Sequence, residues 1–190
     1  MRVMLVDDNR NRVAILEQAL QDAGYKVVAR LVTGAPLLEE VRAVQPDIVI
    51  IDMESPDRDI LESMRSISRD APRPIVMFAE RSDSDTIQAA VRAGVSAYVV
   101  DGLTDKRIRP IMEVAIARFR EYEALRRELE QTRNQLADRK VVEQAKGLLM
   151  KRRGMDEEEA YQSLRKMAMD RNQRIAEVAR NLIAMADLLG

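Results

Sequence analysis

Three aspartates stand directly after two short apolar runs of the sequence. Asp7 and Asp8 follow Val3–Val6, and Asp52 follows Ile48–Ile51. If both runs form parallel strands of one sheet, their carboxyl ends meet at the same edge and bring the three carboxylates together. Such carboxylates repel one another unless they share a hard divalent cation, so the sequence predicts a Mg²⁺ site at Asp7, Asp8 and Asp52. The alternative interpretation is that they are ordinary loop and helix-cap aspartates.

A second group of candidate functional side chains lies towards the C-terminus, and these side chains are basic. Cations of this kind bind the phosphates of a nucleic acid, but they are also favoured at the C-terminal end of a helix, so a solvated helix end is the alternative interpretation. The candidate contacts to a nucleic acid are Lys146, Lys151, Arg152, Arg153, Arg165, Lys166 and Arg171.

The composition excludes several kinds of catalytic site. The chain of 190 residues contains no cysteine and no histidine, which removes disulfides, thiolate chemistry, imidazole metal ligands and the usual general base. It also lacks a glycine-rich phosphate loop, so we do not expect an enzyme. The sequence has no run of about 18 apolar residues and no signal peptide, which predicts a cytoplasmic protein that does not enter a membrane.

Charge is distributed unevenly along the chain. Residues 1–104 hold 12 Lys and Arg against 17 Asp and Glu, a net of −5. Residues 105–190 hold 19 against 15, a net of +4. An acidic first part and a basic second part are typical of a regulatory domain joined to a domain that binds a polyanion.

The first part alternates between apolar runs and amphipathic helical patterns. Five such alternations predict a doubly wound parallel sheet with helices on both faces, because runs that are apolar throughout are typical of strands buried on both sides. The strands are predicted at Val3–Val6, Val27–Leu31, Ile48–Ile51, Ile75–Phe78 and Ala97–Val100, and the helices at about 11–23, 35–44, 58–68 and 84–93.

From Thr104 the pattern is that of one long helix with an apolar stripe and heavily charged flanks. A helix of this length is best stabilised by a partner helix, so we expect a coiled coil that joins two copies of the chain, with packing inside one chain as the alternative. The stripe comprises Ile111, Ala115, Phe119, Tyr122, Leu129 and Leu136.

Three short amphipathic helices are predicted from Arg139 to the end of the chain. Gly154 suits the left-handed residue that closes the first helix. Asp156 with Glu159 forms a capping-box pattern for the second helix, and Asn172 is the expected cap of the third. About fifty residues bury little apolar surface, so this small bundle is expected to need a neighbour or a partner chain.

The bundle also carries a family pattern. It consists of Val142–Met150, then Glu159–Tyr161, then Leu164, Arg165 and Ala168. This pattern resembles the ANTAR domain, the RNA-binding module of the AmiR/NasT transcription antitermination regulators. The resemblance implies that the bundle captures hairpins in a leader RNA and so prevents a terminator from forming. It identifies the ligand of the basic residues as RNA rather than DNA.

Residues 1–118 resemble the receiver domain of two-component response regulators. In this resemblance Asp7 and Asp8 match the acidic pair that holds Mg²⁺, and Asp52 matches the phosphoacceptor. Two positions depart from the receiver pattern. Ala79 stands where receivers carry Ser or Thr, and Asp101 stands where they carry Lys. Because a cation is replaced by an anion, we expect a receiver-like domain that is regulated by binding a protein rather than by phosphorylation.

These observations predict a receiver-like domain at 1–118, a coiled-coil linker helix at 119–137 and an ANTAR domain at 138–190. The expected partners are hairpin leader RNA, a ligand-sensing regulatory protein and a second copy of the chain. Within the family, the segment Val99–Leu103 is most similar to the nitrate/nitrite assimilation antiterminators. The alternatives are a phosphorylation-driven regulator that binds DNA and an adaptor that binds only protein.

Overall fold

A computed structural model describes residues 1–7, 10–100 and 105–188 of the chain. They divide into two compact units, Met1–Glu123 and Ala124–Gly190. Each unit has its own core. No helix among these residues is both long enough and apolar enough to cross a membrane.

The first unit is built on a five-stranded parallel sheet with the strand order β2-β1-β3-β4-β5. This is the order of flavodoxin-like doubly wound folds, which confirms the predicted fold class. The strands are β1 (Arg2–Asp7), β2 (Lys26–Leu31), β3 (Ile48–Met53), β4 (Ile75–Ala79) and β5 (Ala97–Val100), and the helices between them are α1 (Arg10–Asp22), α2 (Leu37–Val44), α3 (Arg58–Asp70) and α4 (Ser84–Arg92).

Two apolar cores lie on opposite faces of this sheet. Successive strand residues point to opposite faces, so Val3 and Leu5 enter the core shared with α1 and the start of the long helix, whereas Met4 and Val6 enter the core shared with α2, α3 and α4. Burial on both faces is the physical reason why the central strands β1, β3 and β4 have long apolar runs, whereas the partly exposed outer strand β2 also carries Lys26 and Arg30. The charged ends of the strands are thereby left at one edge of the sheet.

One helix of 49 residues, α5 (Asp105–Arg153), follows β5. The predicted long helix and the predicted first helix of the bundle are therefore parts of a single element, which corrects the expectation of three short helices. Two further helices complete the chain, α6 (Glu157–Arg171) and α7 (Ile175–Leu188). They pack with the end of α5 around a small core that includes Leu149, Leu164 and Val178.

Candidate functional site

Asp7 and Asp52 lie next to each other at the carboxyl edge of the sheet. They are the last residue of β1 and the fifth residue of β3, and their Cα atoms are paired in the parallel register. Both residues are only 6% exposed, so these two acidic side chains are almost entirely buried. The third predicted member of the site, Asp8, lies outside the described residues.

This pair of carboxylates fits the chemistry of Mg²⁺. Magnesium is usually bound through one or two protein carboxylates, and water or phosphate oxygens complete its octahedron. No group of three or more acidic side chains able to hold a metal is found in the part of the chain that the structure describes. Asp8 stays the predicted third ligand of this site.

The neighbouring strand β4 ends in a residue whose side chain has no hydrogen-bond donor. Ala79 is the last residue of that strand, and its Cα atom is paired with those of Met53 and Val100. Its methyl group cannot hold a phosphoryl oxygen. Asp101, which follows β5 in the sequence, lies outside the described residues.

Local capping interactions fix the start of α6 relative to the end of α5. Gly154 has a φ of +67°, which confirms the expected left-handed residue after α5. The Asp156 carboxylate accepts a hydrogen bond from the Glu159 N–H at 2.8 Å, and the Glu159 carboxylate accepts one from the Asp156 N–H at 3.0 Å. This reciprocal pair is the predicted capping box. Asn172, with a φ of +50°, caps the C-terminal end of α6. The prediction that it caps the start of the following helix is therefore wrong.

Six of the seven basic residues predicted to contact RNA are exposed on the second unit. Four of these six line two neighbouring concavities of its surface. Arg152, Arg153 and Arg171 line one cavity of about 310 Å³ between α5, α6 and α7. Arg153 also lines an open groove with Lys166. The remaining two, Lys151 and Arg165, line neither of these concavities. We refer to Arg152, Arg153, Lys166 and Arg171 as the basic cluster.

Lys146 differs from the other predicted contacts because it is only 8% exposed. Its ammonium donates a hydrogen bond to the Glu157 carboxylate at 2.7 Å and lies 2.9 Å from the carboxylate of Glu143. It therefore ties α5 to the first turn of α6. This placement argues against a contact between Lys146 and RNA, since the ammonium is already held by two carboxylates inside the unit.

We expect these ion pairs to make the stability of the second unit depend on pH in a defined direction. The hydrogen bond from Lys146 lowers the pKa of Glu157 from its ordinary value of 4.5, and the bonds to Glu157 and Glu143 raise the pKa of Lys146 from 10.5. A carboxyl group whose pKa is lower in the folded chain than in the unfolded chain stabilises the fold above its unfolded-state pKa. This stability is lost as pH falls through its folded-state pKa. A raised ammonium pKa contributes stability that is lost as pH rises above the unfolded value.

We therefore expect Lys146→Met to lower the melting temperature of the full chain at neutral pH, and we expect this deficit to shrink below pH 4.5 and above pH 10.5. Differential scanning calorimetry across pH measures both effects. Lys151→Met, which removes an exposed lysine of the same helix, is the control and should leave melting nearly unchanged. An equal deficit at all pH values would show that the packing of the altered side chain, not the lost charge, is what matters.

Sequence reasoning missed the cavity that the arginines share with α7. The Arg152 guanidinium donates a hydrogen bond to the carbonyl of Ala186, 34 positions further along the chain, at 3.1 Å. Asn181 and Met185 of α7 line the same cavity. No local sequence pattern predicts a site built from three helices, because only the packing of the bundle brings these residues together.

Both parts of the chain match known protein families. Residues 3–113 match the response regulator receiver domain, and residues 130–183 match the ANTAR domain. The chain is 34% identical over 180 residues to the transcriptional regulatory protein PdtaR of Mycobacterium tuberculosis, a match that covers 93% of this chain and 88% of the relative. It is 31% identical over 177 residues to the nitrate regulatory protein of Klebsiella oxytoca, covering 93% of this chain and 39% of that protein.

The sheet unit also resembles solved structures. The signal receiver domain of a modulated diguanylate cyclase from Desulfovibrio desulfuricans G20 aligns with a TM-score of 0.56 and 23% identity. That alignment covers 64% of this chain and 97% of the other. At this identity the likeness supports the receiver fold alone.

Proposed function

The chain belongs to the AmiR/NasT-type response regulators, which join a receiver domain to an ANTAR domain, and from this membership we propose that it is a cytoplasmic RNA-binding antitermination regulator. It acts by binding rather than by catalysis. Its ANTAR unit captures hairpins in a leader RNA, which prevents a terminator from forming and lets RNA polymerase continue. The observation that carries this proposal is the exposed basic cluster on the bundle that matches the ANTAR domain.

We propose genes of nitrate or nitrite assimilation as the target. The support is that the nitrate regulatory protein of Klebsiella oxytoca matches nearly the whole of this chain. We further propose that a ligand-sensing protein controls the regulator through its receiver domain. Ala79 supports this because it supplies no hydroxyl for a phosphoryl group, and Asp101 supports it because it supplies an anion in place of a cation.

Any Mg²⁺ in the receiver domain would be held by Asp7 and Asp52, with Asp8 as the third ligand. The ion would supply positive charge beside the Asp52 carboxylate. The protein's own contribution is positional: the register of β1 and β3 sets the two carboxylates side by side, and their burial keeps them at that edge. Nothing else in the proposed function depends on the ion.

A second copy of the chain is the partner that best explains the exposed face of α5. Tyr122, Leu125, Leu129 and Leu136 are 52–59% exposed in the single chain, although all four are large and apolar. With Thr132 they follow the alternating three- and four-residue steps of a coiled-coil seam. We propose that this seam pairs with its counterpart in a homodimer.

The charges beside the seam favour a parallel pair. In this register Glu121 and Glu128 occupy the positions before Tyr122 and Leu129, and Arg126 and Arg133 occupy those after Leu125 and Thr132. Two parallel helices bring each such glutamate near the arginine five positions further along the partner helix. An antiparallel pair would instead oppose glutamate to glutamate. A parallel dimer carries both ANTAR units at the same end of the seam.

The experiment that tests the proposed function is a titration of the full chain with RNA and DNA. The RNA is chosen from a library of hairpins that share one stem and carry randomised short loops, and the competitor is duplex DNA of equal length. We expect a preference for hairpin RNA that scrambling of the loop removes. Equal weak binding to both nucleic acids would overturn the proposal and favour the protein-only adaptor.

A pair of double variants identifies the phosphate contacts. Arg153→Ala with Lys166→Ala should weaken binding to the selected hairpin and reduce the slope of log affinity against log salt by about two, because two phosphate contacts are lost. Lys151→Ala with Arg165→Ala removes the same charges from the same unit but touches neither concavity. We expect a smaller effect from this control. Equal losses in both variants would mean that the positive charge acts diffusely.

A further inference from the structure

The cavity lined by Arg152, Arg153 and Arg171 has an apolar interior. Its lining includes Leu149 and Val178, which are 4% and 2% exposed, whereas all three arginines are exposed. The carboxylates of the described residues contribute nothing to the lining. An apolar interior under a cationic rim is not what a simple phosphate-binding surface requires, since phosphates need only the rim.

The Arg152 guanidinium is held in place at this rim. It donates to the carbonyl of Ala186 at 3.1 Å, within the last turn of α7, where helix carbonyls have no partner inside the helix. A cation is favoured at such a helix end. The hydrogen bond uses one N–H of the guanidinium, so its other donors and its flat face remain available to a ligand.

These features define the chemistry of the ligand. It must present a flat, largely apolar group to the interior and the guanidinium face, and it must carry negative charge near Arg153 and Arg171. A nucleobase with its flanking phosphates has this combination, and bases that are splayed out of RNA loops are commonly stacked on arginine. The geometry points to a pocket that takes one unstacked base of the hairpin loop, an inference that rests on the proposed binding of hairpin RNA.

The size of the cavity suits a single base. Its volume of about 310 Å³ is at the small end of the range for ligand sites, roughly 300–1,000 Å³. Arg153 belongs both to this cavity and to the groove that contains Lys166. The strand that supplies the base can therefore continue along the groove with its phosphates near these cations.

The test uses the full chain and a hairpin selected from the randomised-loop library. Each loop position is replaced in turn by 2-aminopurine, whose fluorescence reports unstacking and burial, and then by an abasic residue. We expect one position to change its emission on binding and to lose roughly tenfold or more in affinity when abasic, the scale of one stacked base. Abasic stem positions away from the loop serve as the comparison.

Asn181→Trp places a bulky ring at the cavity, and Ala184→Trp places the same ring at an exposed position of the same helix outside the lining. We expect the first variant to lose roughly tenfold in affinity for the selected hairpin, with an unchanged salt slope, and to lose nothing further with the abasic hairpin. The second variant should bind like the unaltered chain. Thermal melting of both variants verifies that they are folded.

Two results would overturn the pocket while leaving hairpin binding intact. One is an Asn181→Trp chain that binds the selected hairpin normally. The other is a loop in which every abasic position binds equally well. If instead a fluorescent polyglutamate peptide bound the chain and Asn181→Trp alone abolished that binding, the cavity would be a protein-docking site. Failure of the proposed function itself would appear earlier, as the absence of any preference for RNA over DNA.

Discussion

A chain that carries Leu129→Glu and Leu136→Glu should be monomeric and should lose roughly a hundredfold or more in affinity for an RNA with two hairpins. Both leucines are more than half exposed in the single chain, so the folded monomer tolerates glutamate there, whereas a paired seam would place four carboxylates face to face. Two linked binding units gain about 10²- to 10⁴-fold over one, and this gain disappears with the dimer. Analytical ultracentrifugation and RNA titration measure the two effects.

The same variant provides its own control, because its affinity for a single hairpin should be close to that of the unaltered chain. A general loss of folding would reduce both affinities together. If the variant stays dimeric, the contact between copies lies outside α5, and the seam belongs to some other partner helix.

Charge exchange distinguishes the parallel dimer from the antiparallel one. Arg126→Glu with Arg133→Glu should weaken the dimer, and so should Glu121→Arg with Glu128→Arg. In a parallel dimer the two variants should pair with each other when mixed, since every glutamate again meets an arginine. In an antiparallel dimer the mixture also places unlike charges opposite each other. However, the unaltered antiparallel dimer already places like charges opposite each other, so neither variant alone should then form a weaker dimer than the unaltered chain.

The sheet could be predicted because its burial leaves a direct trace in the sequence. The run Val3–Val6 is apolar throughout because neighbouring residues enter opposite cores, and the same reason applies to Ile48–Ile51. An aspartate directly after such a run lies near the C-terminal end of its strand, which is where Asp7 and Asp52 lie. The capping box at Asp156 is equally local, since both of its hydrogen bonds join residues three positions apart.

The positions that could not be predicted depend on contacts between distant residues. Lys146 and Lys151 are both lysines of α5, and the sequence does not distinguish them. The ammonium of Lys146 is nevertheless buried, because α6 brings Glu157 to it from 11 positions further along the chain. Asn172 is a good residue both for opening a helix and for a left-handed helix end, and only the path of the chain decides between them. The cavity of the ANTAR unit likewise exists only once α7 has packed beside the end of α5.

The receiver unit keeps two carboxylates of the predicted Mg²⁺ site but departs from the receiver pattern at two other positions. The paired carboxylates that fit Mg²⁺ are in place, whereas Ala79 offers no hydroxyl and the residue after β5 is Asp101. A phosphoryl group on Asp52 would add about two negative charges to this edge. With an effective dielectric of about 20, two unit charges about 4 Å apart interact by about 4 kcal/mol, so exchanging a cation for an anion turns a large attraction into a comparable repulsion.

Acetyl phosphate with Mg²⁺ should therefore leave the RNA affinity of the unaltered chain unchanged within about twofold, a shift of less than about 0.5 kcal/mol. Ala79→Thr combined with Asp101→Lys supplies the missing hydroxyl and ammonium, so the phosphoryl group on Asp52 should become long-lived. Intact-mass spectrometry over time measures its lifetime, and adding Asp52→Asn to the double variant should abolish the signal. A phosphoryl group that persists on the unaltered chain and shifts its RNA affinity would instead favour direct control by phosphorylation.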